Sequence, residues 1–527
     1  AASDVYKRQI YMDFKAGGVK KDTMLMNHLD EICEGLHKIF PDKSASEFKT
    51  HLKKGRKQGS RNYLIYPKRI SYIQYKEAKR LPVFNLNKYK GGFHELAYNQ
   101  RKKPFGSLAA RTLGDLYADT AQGAKNGIEL AFDSILKGHD GITHRQKVMN
   151  KYLNIVDIPP VDGCDLLSTI DVGMQDICEK ALTDKLKELN ASVGVAVLME
   201  VATGEVKAIV NMTKAGDGNY YEMRNNAISD MLEPGSTFKI ITSTAALEAG
   251  AVSLNDTFYC PGFKIVEDRR IRCHKAGGHG SETFVQGVQN SCNPVFMEVG
   301  ARLGVGGMFR GMRQLGILSK TNIDVPGEAS TIMHQQKNVG AVELATMSFG
   351  QSFQLSPIRL LTSVSAVING GHSIVPHFGV SIENTSNGSV RKLSYPQKKK
   401  IVSKETSENM KMILESVVTE GSGSKASVEG YQVGAKTGTS EKLPRRSGKY
   451  IASCIGFAPA DDPKVLAVVL IDEPEGIYYG GTIAAPVVSE LLDNALPYFG
   501  RQKNTAKTNE EINVIWLISR VDCITIV

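Results

Sequence analysis

Two pairs of apolar runs, far apart in the chain, restrict the fold more than any other feature. Residues 193–201 and 205–210 flank Ala202-Thr203-Gly204, and residues 450–457 and 465–471 flank Ala458-Pro459-Ala460-Asp461-Asp462-Pro463. Apolar runs of this length around Gly- or Pro-rich turns read as β-hairpins. Residues 436–440 are expected on a strand beside the second pair, and 162–171 read as another strand. Helices are predicted at 174–189 and 485–496. Hairpins from both ends of the segment can share one antiparallel sheet with helices packed against it, which is an α+β domain.

Between the two pairs lies Glu233-Pro234-Gly235-Ser236-Thr237-Phe238-Lys239, where a turn leads into helical periodicity that runs to a stop at Gly250. Ser236 and Lys239 are three apart and share one helical face. The same S-x-x-K spacing recurs at Ser46, Ser134, Ser389 and Ser422, so the spacing alone carries little. Order raises its weight: Ser291-Cys292-Asn293 follows, and then Lys436-Thr437-Gly438-Thr439, which holds the single K-T-G of the chain. Acyl transfer from an amide needs a nucleophile, a proton acceptor and donors for an oxyanion. Ser236 supplies the oxygen. Lys239 serves as base if burial and a neighbouring cation, expected to be Lys436, hold it neutral. Ser291 is placed to relay a proton, and Asn293 to hold a substrate amide. The amides of Ser236 and Thr439 suit an oxyanion, and Thr437, Gly438 and Thr439 suit a substrate carboxylate.

A chain of 527 residues has room for more than one domain. Its net charge of +10 owes much to the stretch from Lys43 to Arg80, where no aromatic rows or nucleic-acid motif accompany the basic residues. A solvated face is the expectation there, with no nucleic-acid partner. No apolar run reaches the ~18 residues of a membrane span, and the chain opens on Ala1 without Met. The reading is a fragment lacking its N-terminal anchor. Three parts are expected: a truncated, irregular, β-rich pedestal over 1–160, a catalytic domain over 161–500, and a tail over 501–527 that reads either as a frame artefact or as a strand of an absent module. The first part carries a helical stretch near 22–39 and closes with a Gly-rich connection ending at Pro159-Pro160.

The three motifs, the stretch from Gly106 to Gly138 with Arg111 and Gly114, Leu167-Ser168-Thr169-Ile170-Asp171 with Gln175, Gly278-His279-Gly280 and Phe349-Gly350-Gln351 together resemble the class B penicillin-binding proteins over about 104–500. The resemblance implies a penicillin-binding transpeptidase fold like that of serine β-lactamases, preceded by a dimerisation-type pedestal. It implies a monofunctional D,D-transpeptidase that cross-links peptidoglycan stem peptides through an acyl-serine and needs no cofactor. It also implies acylation by β-lactam antibiotics, a membrane glycan polymerase as partner, and a catalytic domain on the outer face of the cell membrane. Residues before Ser236 lean toward division-type members, and those from Asp256 onward toward the sporulation-type branch, which leaves a chimeric assembly open. Two departures stand out: Cys292 between Ser291 and Asn293, and Ser352 after Gly350-Gln351, where Gly is more usual.

The sporulation-type resemblance draws attention to Cys273 and Cys292 as a redox pair whose oxidation would block the site. Inert thiols are a second reading. A third is a metal held by Cys260, Cys273, His274, His279 and Cys292, soft and imidazole ligands suited to zinc but without C-x-x-C spacing. Two further functions share the motifs. A serine β-lactamase needs a base for a deacylating water, for which Glu328 is the weak candidate; a β-lactam sensor or scaffold needs acylation alone.

Overall fold

The computed structural model describes residues 6–20, 22–99, 103–117, 122–148, 151–396, 398–501 and 523–526. Two compact units divide between Gly106 and Ser107, whereas the sequence suggests a boundary at 160.

In the first unit, strands β1 (Tyr6–Met12), β2 (Tyr63–Leu64) and β3 (Phe93–Asn99) form an antiparallel sheet in the order β2-β1-β3. Helices at Leu29–Ile39, Ala45–Gln58 and Tyr72–Lys79 accompany it. The first of these fits the expected helical stretch. The other two begin at capping boxes, Ser44 with Glu47 and Ser71 with Gln74, in which the hydroxyl and the longer side chain satisfy each other's otherwise unpaired amides. Ile10, Met12, Phe40, Phe48, Leu52 and Phe84 fill the core. This unit is therefore richer in helix than a β-rich pedestal suggests.

The second unit begins with a glycine-dependent knot. Gly127 sits at φ +66, and a Cβ there would stand 2.4 Å from the Thr112 carbonyl oxygen. Arg111 donates from its amide and its Nε to the Glu222 carboxylate and carbonyl, both at 3.0 Å. Where a Gly-rich connection was expected, β4 (Ile142–Val148) and β5 (Lys151–Ile158) form an antiparallel hairpin. Strand β6 (Asp165–Asp171) then enters the domain. Its Asp171 caps the helix Val172–Glu188 by accepting from Met174 N at 2.9 Å.

The main sheet is built from β7 (Val193–Glu200), β8 (Val206–Lys214) and β9 (Tyr220–Tyr221), joined later by strands from the C-terminal third. Four short strands follow the helix Lys239–Glu248: β10 (Thr257–Cys260), β11 (Phe263–Val266), β12 (Arg269–Arg272) and β13 (Gly280–Thr283), pairing β10 with β13 and β11 with β12. Strands β14 (Gly379–Glu383) and β15 (Val390–Lys392) extend β6 into a second sheet. The main sheet is completed by β16 (Gly434–Glu441), β17 (Tyr450–Ala458) and β18 (Val465–Asp472), in the order β16-β17-β18-β7-β8-β9 and antiparallel throughout. Strand β19 (Cys523–Ile526) pairs with β6, while residues 502–522 and 527 of the expected tail lie outside the described residues.

Alternation explains why the inner strands read as continuous apolar runs. Val195, Val197 and Met199 of β7 enter one core, shared with Phe238, Ile241 and Phe296. Ala196 and Leu198 enter the other, under Leu182, Leu186, Val488 and Leu491 of the helices Val172–Glu188 and Ala485–Ala495. With both faces covered, every position of the strand must be apolar. On the helix Val172–Glu188, Gln175 is polar and buried, and its carboxamide accepts from Ile209 N and donates to Ile209 O, both at 2.8 Å, so the amide is satisfied by β8. β16 is the edge of the sheet, paired on one side only, and runs in register with β17 from Gly434↔Phe457 to Glu441↔Tyr450 without a bulge.

Candidate active site

Ser236 lies on a 3₁₀ turn, Gly235–Phe238, that runs straight into the helix Lys239–Glu248. The turn is held from three sides. Gly235, at φ +56, donates its amide to Gly350 O at 2.9 Å, and a Cβ on it would stand 2.1 Å from Ser440 Oγ. Thr237 donates its hydroxyl to Pro234 O at 2.7 Å, and Phe238 meets Phe353 edge-on with ring centroids 4.7 Å apart. Gly235, Thr237 and Phe238 are buried and Ser236 between them is partly exposed, so the fold presents this hydroxyl to the surface.

Lys239, three residues on, is fully buried. Its ammonium donates to Ser291 O at 2.6 Å, Asn293 Oδ1 at 2.8 Å and Ser291 Oγ at 3.2 Å, and lies 5.1 Å from the centre of the Phe296 ring. Lys436, also fully buried, reaches the same Ser291 hydroxyl at 2.9 Å from the opposite side, off β16. One hydroxyl thus bridges two lysines that are far apart in sequence. Ser291 is held at φ +53, a left-handed conformation that a serine adopts only when its surroundings impose it. Here they are the end of the helix Phe284–Gln289 on one side and the helix Asn293–Gln314, N-capped by Cys292, on the other.

Burial lowers the Lys239 ammonium from its ordinary range to about 7, although Cys292, Cys273 and Glu282 pull the other way. Lys436 is lowered well below its ordinary value, first by burial and then by the charge on Lys239. Burial is the first cause at both lysines, and the two ammonium groups, which meet at the Ser291 hydroxyl, repel each other.

The carboxamide of Asn293 is engaged at both ends, accepting from Lys239 and donating to Arg272 O at 3.2 Å, which leaves one N–H for a ligand. On β16, Lys436 and Gly438 face the catalytic turn: a Cβ on Gly438 would lie 3.1 Å from Thr237 Cγ2 and 3.4 Å from Pro234 O. Thr437 and Thr439 alternate to the other face. The Thr439 hydroxyl accepts from Gly480 N at 3.0 Å, so its own proton is available to an anion. Glu328, the candidate base for a deacylating water, accepts from the amides of Thr321 and Asn322 through its two oxygens.

Sequence reasoning missed Glu233. It pairs with Arg445 at 2.5 Å and accepts from Ser352 N at 2.9 Å, tying the loop after β16 and the Gly350 loop to the catalytic turn. Ser352 stands at φ +68, the physical reason that glycine suits this position, and its hydroxyl is anchored to Thr346 Oγ1 at 2.8 Å. Of the cysteine and histidine candidates, Cys260, Cys273, His279 and Cys292 converge behind the Ser291–Asn293 segment, and His274, though exposed, brings its Nδ1 to 3.8 Å from Cys273 Sγ. Neither Cys273 nor Cys292 is in a disulfide.

A partly exposed serine three residues before a buried lysine whose pKa is lowered to about 7, with a second hydroxyl in contact with that lysine, is the equipment of a serine acyltransferase working through an acyl-enzyme. Comparison with known proteins narrows the class. Residues 194–493 match the penicillin binding protein transpeptidase domain, and residues 2–168 the penicillin-binding protein dimerisation domain. The chain belongs to the penicillin-binding protein transpeptidase family, in its class B arrangement. It is 38% identical to stage V sporulation protein D of Bacillus subtilis over 84% of this chain and 72% of that one. It is 28% identical to the peptidoglycan D,D-transpeptidase FtsI of Escherichia coli over 80% of this chain and 71% of that one. Among solved structures, a peptidoglycan synthetase of Bifidobacterium adolescentis shares the fold with a TM-score of 0.71 at 20% identity, covering 96% of this chain and 94% of that one.

Proposed function

We propose that this chain is a peptidoglycan D,D-transpeptidase serving wall synthesis in division or sporulation through an acyl-Ser236 intermediate. The observation that carries the reading is the Ser291 hydroxyl, 3.2 Å from Lys239 Nζ and 2.9 Å from Lys436 Nζ. Neutral Lys239 takes the Ser236 proton as Oγ attacks the carbonyl of the penultimate D-Ala. The amides of Ser236 and Thr439 receive the oxyanion. The proton passes through Ser291 to the departing D-Ala amine as the C–N bond breaks. An amine of a neighbouring stem then attacks the ester and gives a proton to Lys239, which passes it to Ser236 Oγ as the ester C–O bond breaks. Asn293 holds Lys239 and offers its remaining N–H to the stem amide. The stem lies along the open edge of β16, where the Thr437 and Thr439 hydroxyls on one face receive its carboxylate, Lys436 on the other face adds positive charge, and Gly438 allows close approach. The chemistry draws on side chains and backbone amides alone.

β-Lactams enter as substrate mimics that acylate Ser236 and remain. In this reading residues 1–160 act as the pedestal and 161–500 as the catalytic domain, at the outer face of the cell membrane beside a membrane glycan polymerase that supplies new strands. Among the described residues no helix is long and apolar enough to cross a membrane. The test is intact-mass analysis of the chain and of Ser236→Ala after exposure to a penicillin. A stable adduct on the first and none on the second is expected. No adduct on a folded, reduced chain overturns the reading, and rapid loss of the adduct with drug hydrolysis replaces it with a β-lactamase.

A further inference from the structure

We propose that Cys260, Cys273, His279 and Cys292 form a tetrahedral zinc site that braces the Ser291–Asn293 segment from behind. One ligand atom from each lies within 4.8 Å of all the others. Cys273 Sγ and His279 Nδ1 are 3.6 Å apart. Tetrahedral zinc with Zn–S of about 2.3 Å and Zn–N of about 2.0–2.1 Å sets that separation at about 3.6 Å and S···S at about 3.8 Å. Small side-chain rotations bring the widest pairs to these values.

Four backbone segments deliver the donors. Cys260 ends β10 and Cys273 follows β12, while His279 precedes β13 and Cys292 caps the Asn293–Gln314 helix. Cys260 pairs with Gly280, and Cys273 N donates to Gly262 O at 2.8 Å. Two left-handed glycines press the segments together: a Cβ on Gly262 would stand 2.3 Å from Ala276 O, and one on Gly278 would stand 2.2 Å from Cys260 O. The ligands are thus placed by sheet pairing and by glycine contacts before any ion arrives.

Glu282, with a side chain 3% exposed, lies against this cluster: one oxygen accepts from Asn290 Nδ2 at 2.7 Å, and the other sits beside the Cys292 thiol, 3.9 Å from His279 Nδ1. Three thiolates with one imidazole favour zinc over magnesium or calcium, which take oxygen ligands. On binding, each cysteine releases its thiol proton to solvent and gives an electron pair to the ion, and His279 binds neutral. The proposed role is structural: a bond to Cys292 fixes the residue that follows the left-handed Ser291 and precedes Asn293.

The test is metal analysis of the full chain, purified with reductant, equilibrated with micromolar zinc and desalted. One zinc per chain is expected, falling at least tenfold in Cys260→Ser and in His279→Ala but not in Cys164→Ser. Cobalt substitution of the unaltered chain gives a readout that needs no variant to fold, with a sulfur-to-cobalt charge-transfer band and the intense visible bands of a tetrahedral ion. A folded chain that retains less than a tenth of an equivalent of zinc overturns the proposal. So does zinc that survives both substitutions, or a six-coordinate cobalt spectrum. A Cys273–Cys292 disulfide found by peptide mapping after zinc equilibration also overturns it, and makes the pair a redox element instead. None of these readouts depends on Ser236 or on acylation.

Discussion

If Lys239 is the base, the pH dependence of acylation reports its burial. The group must be neutral to accept the Ser236 proton, and its pKa is lowered to about 7. The neutral fraction is then about one tenth at pH 6 and about one hundredth at pH 5, and it approaches unity above about pH 8. The second-order rate constant for acylation by a penicillin should climb close to tenfold per pH unit from acid and level off beyond about pH 8. A lysine with the ordinary value of 10.5 would leave the rate still climbing at pH 9. Since Lys239 and Lys436 share the Ser291 hydroxyl, the inflection belongs to the pair as much as to either residue. The assay is adduct formation by intact mass against time at each pH, with circular dichroism to show the chain folded throughout. Lys239→Arg places a group that keeps its proton at every accessible pH in the same position and should abolish acylation across the range. A flat profile, an inflection above about pH 9, or an active arginine variant would refute the reasoning.

Three other outcomes follow from the packing. Gly235→Ala sets a Cβ 2.1 Å from Ser440 Oγ at φ +56. It should slow penicillin acylation more than tenfold by pushing β16 off the catalytic turn, and an unchanged rate counts against that contact. Leu182→Ala empties a fully buried position on the far side of the main sheet. It should cost about 2–5 kcal/mol in urea unfolding while the folded fraction acylates at the normal rate; a rate loss without a stability loss contradicts the division between the two cores. Thr439→Val keeps the shape and removes the hydroxyl. It should reduce the second-order rate constant for a carboxylate-bearing β-lactam about tenfold, equivalent to about 1.4 kcal/mol, and equal rates would remove Thr439 from anion recognition.

The inner strands were legible because burial on both faces leaves a run of apolar residues that no helix of that length would need. β16 was legible only through its K-T-G, since an edge strand carrying catalytic side chains has no apolar pattern. The helices at Ala45–Gln58 and Tyr72–Lys79 had readable signals, Ser44-x-x-Glu47 and Ser71-x-x-Gln74, which the density of lysines around them obscured. The β4–β5 hairpin was hidden because neither strand alternates toward a core: β4 is polar from Thr143 to Lys147, and Leu153, Val156 and Ile158 of β5 stand exposed. At the site, the three motifs found the lysines and Ser291, but the left-handed backbone at Ser291 is imposed by the helices on either side and has no signature in residue type. Glu233 and Arg445 are brought together only by the fold. The four convergent ligands have twelve, five and twelve residues between them in order, and β10–β13 pairing, not local spacing, makes them neighbours.

The bulge-free pairing of β16 with β17 limits how such a site can vary. Strand side chains alternate faces, so a slip of one residue would exchange Lys436 with Thr437 and turn the ammonium away from Ser291. A length change inside the strand is therefore an all-or-none event, while a replacement at one position is graded. Selection by an inhibitor that mimics the substrate can act on individual side chains along β16 and on the loop at 442–449, but the count of residues between Gly434 and Glu441 is closed to it. Heritable change in drug sensitivity at this edge should arrive as substitutions, with insertions confined to the loop.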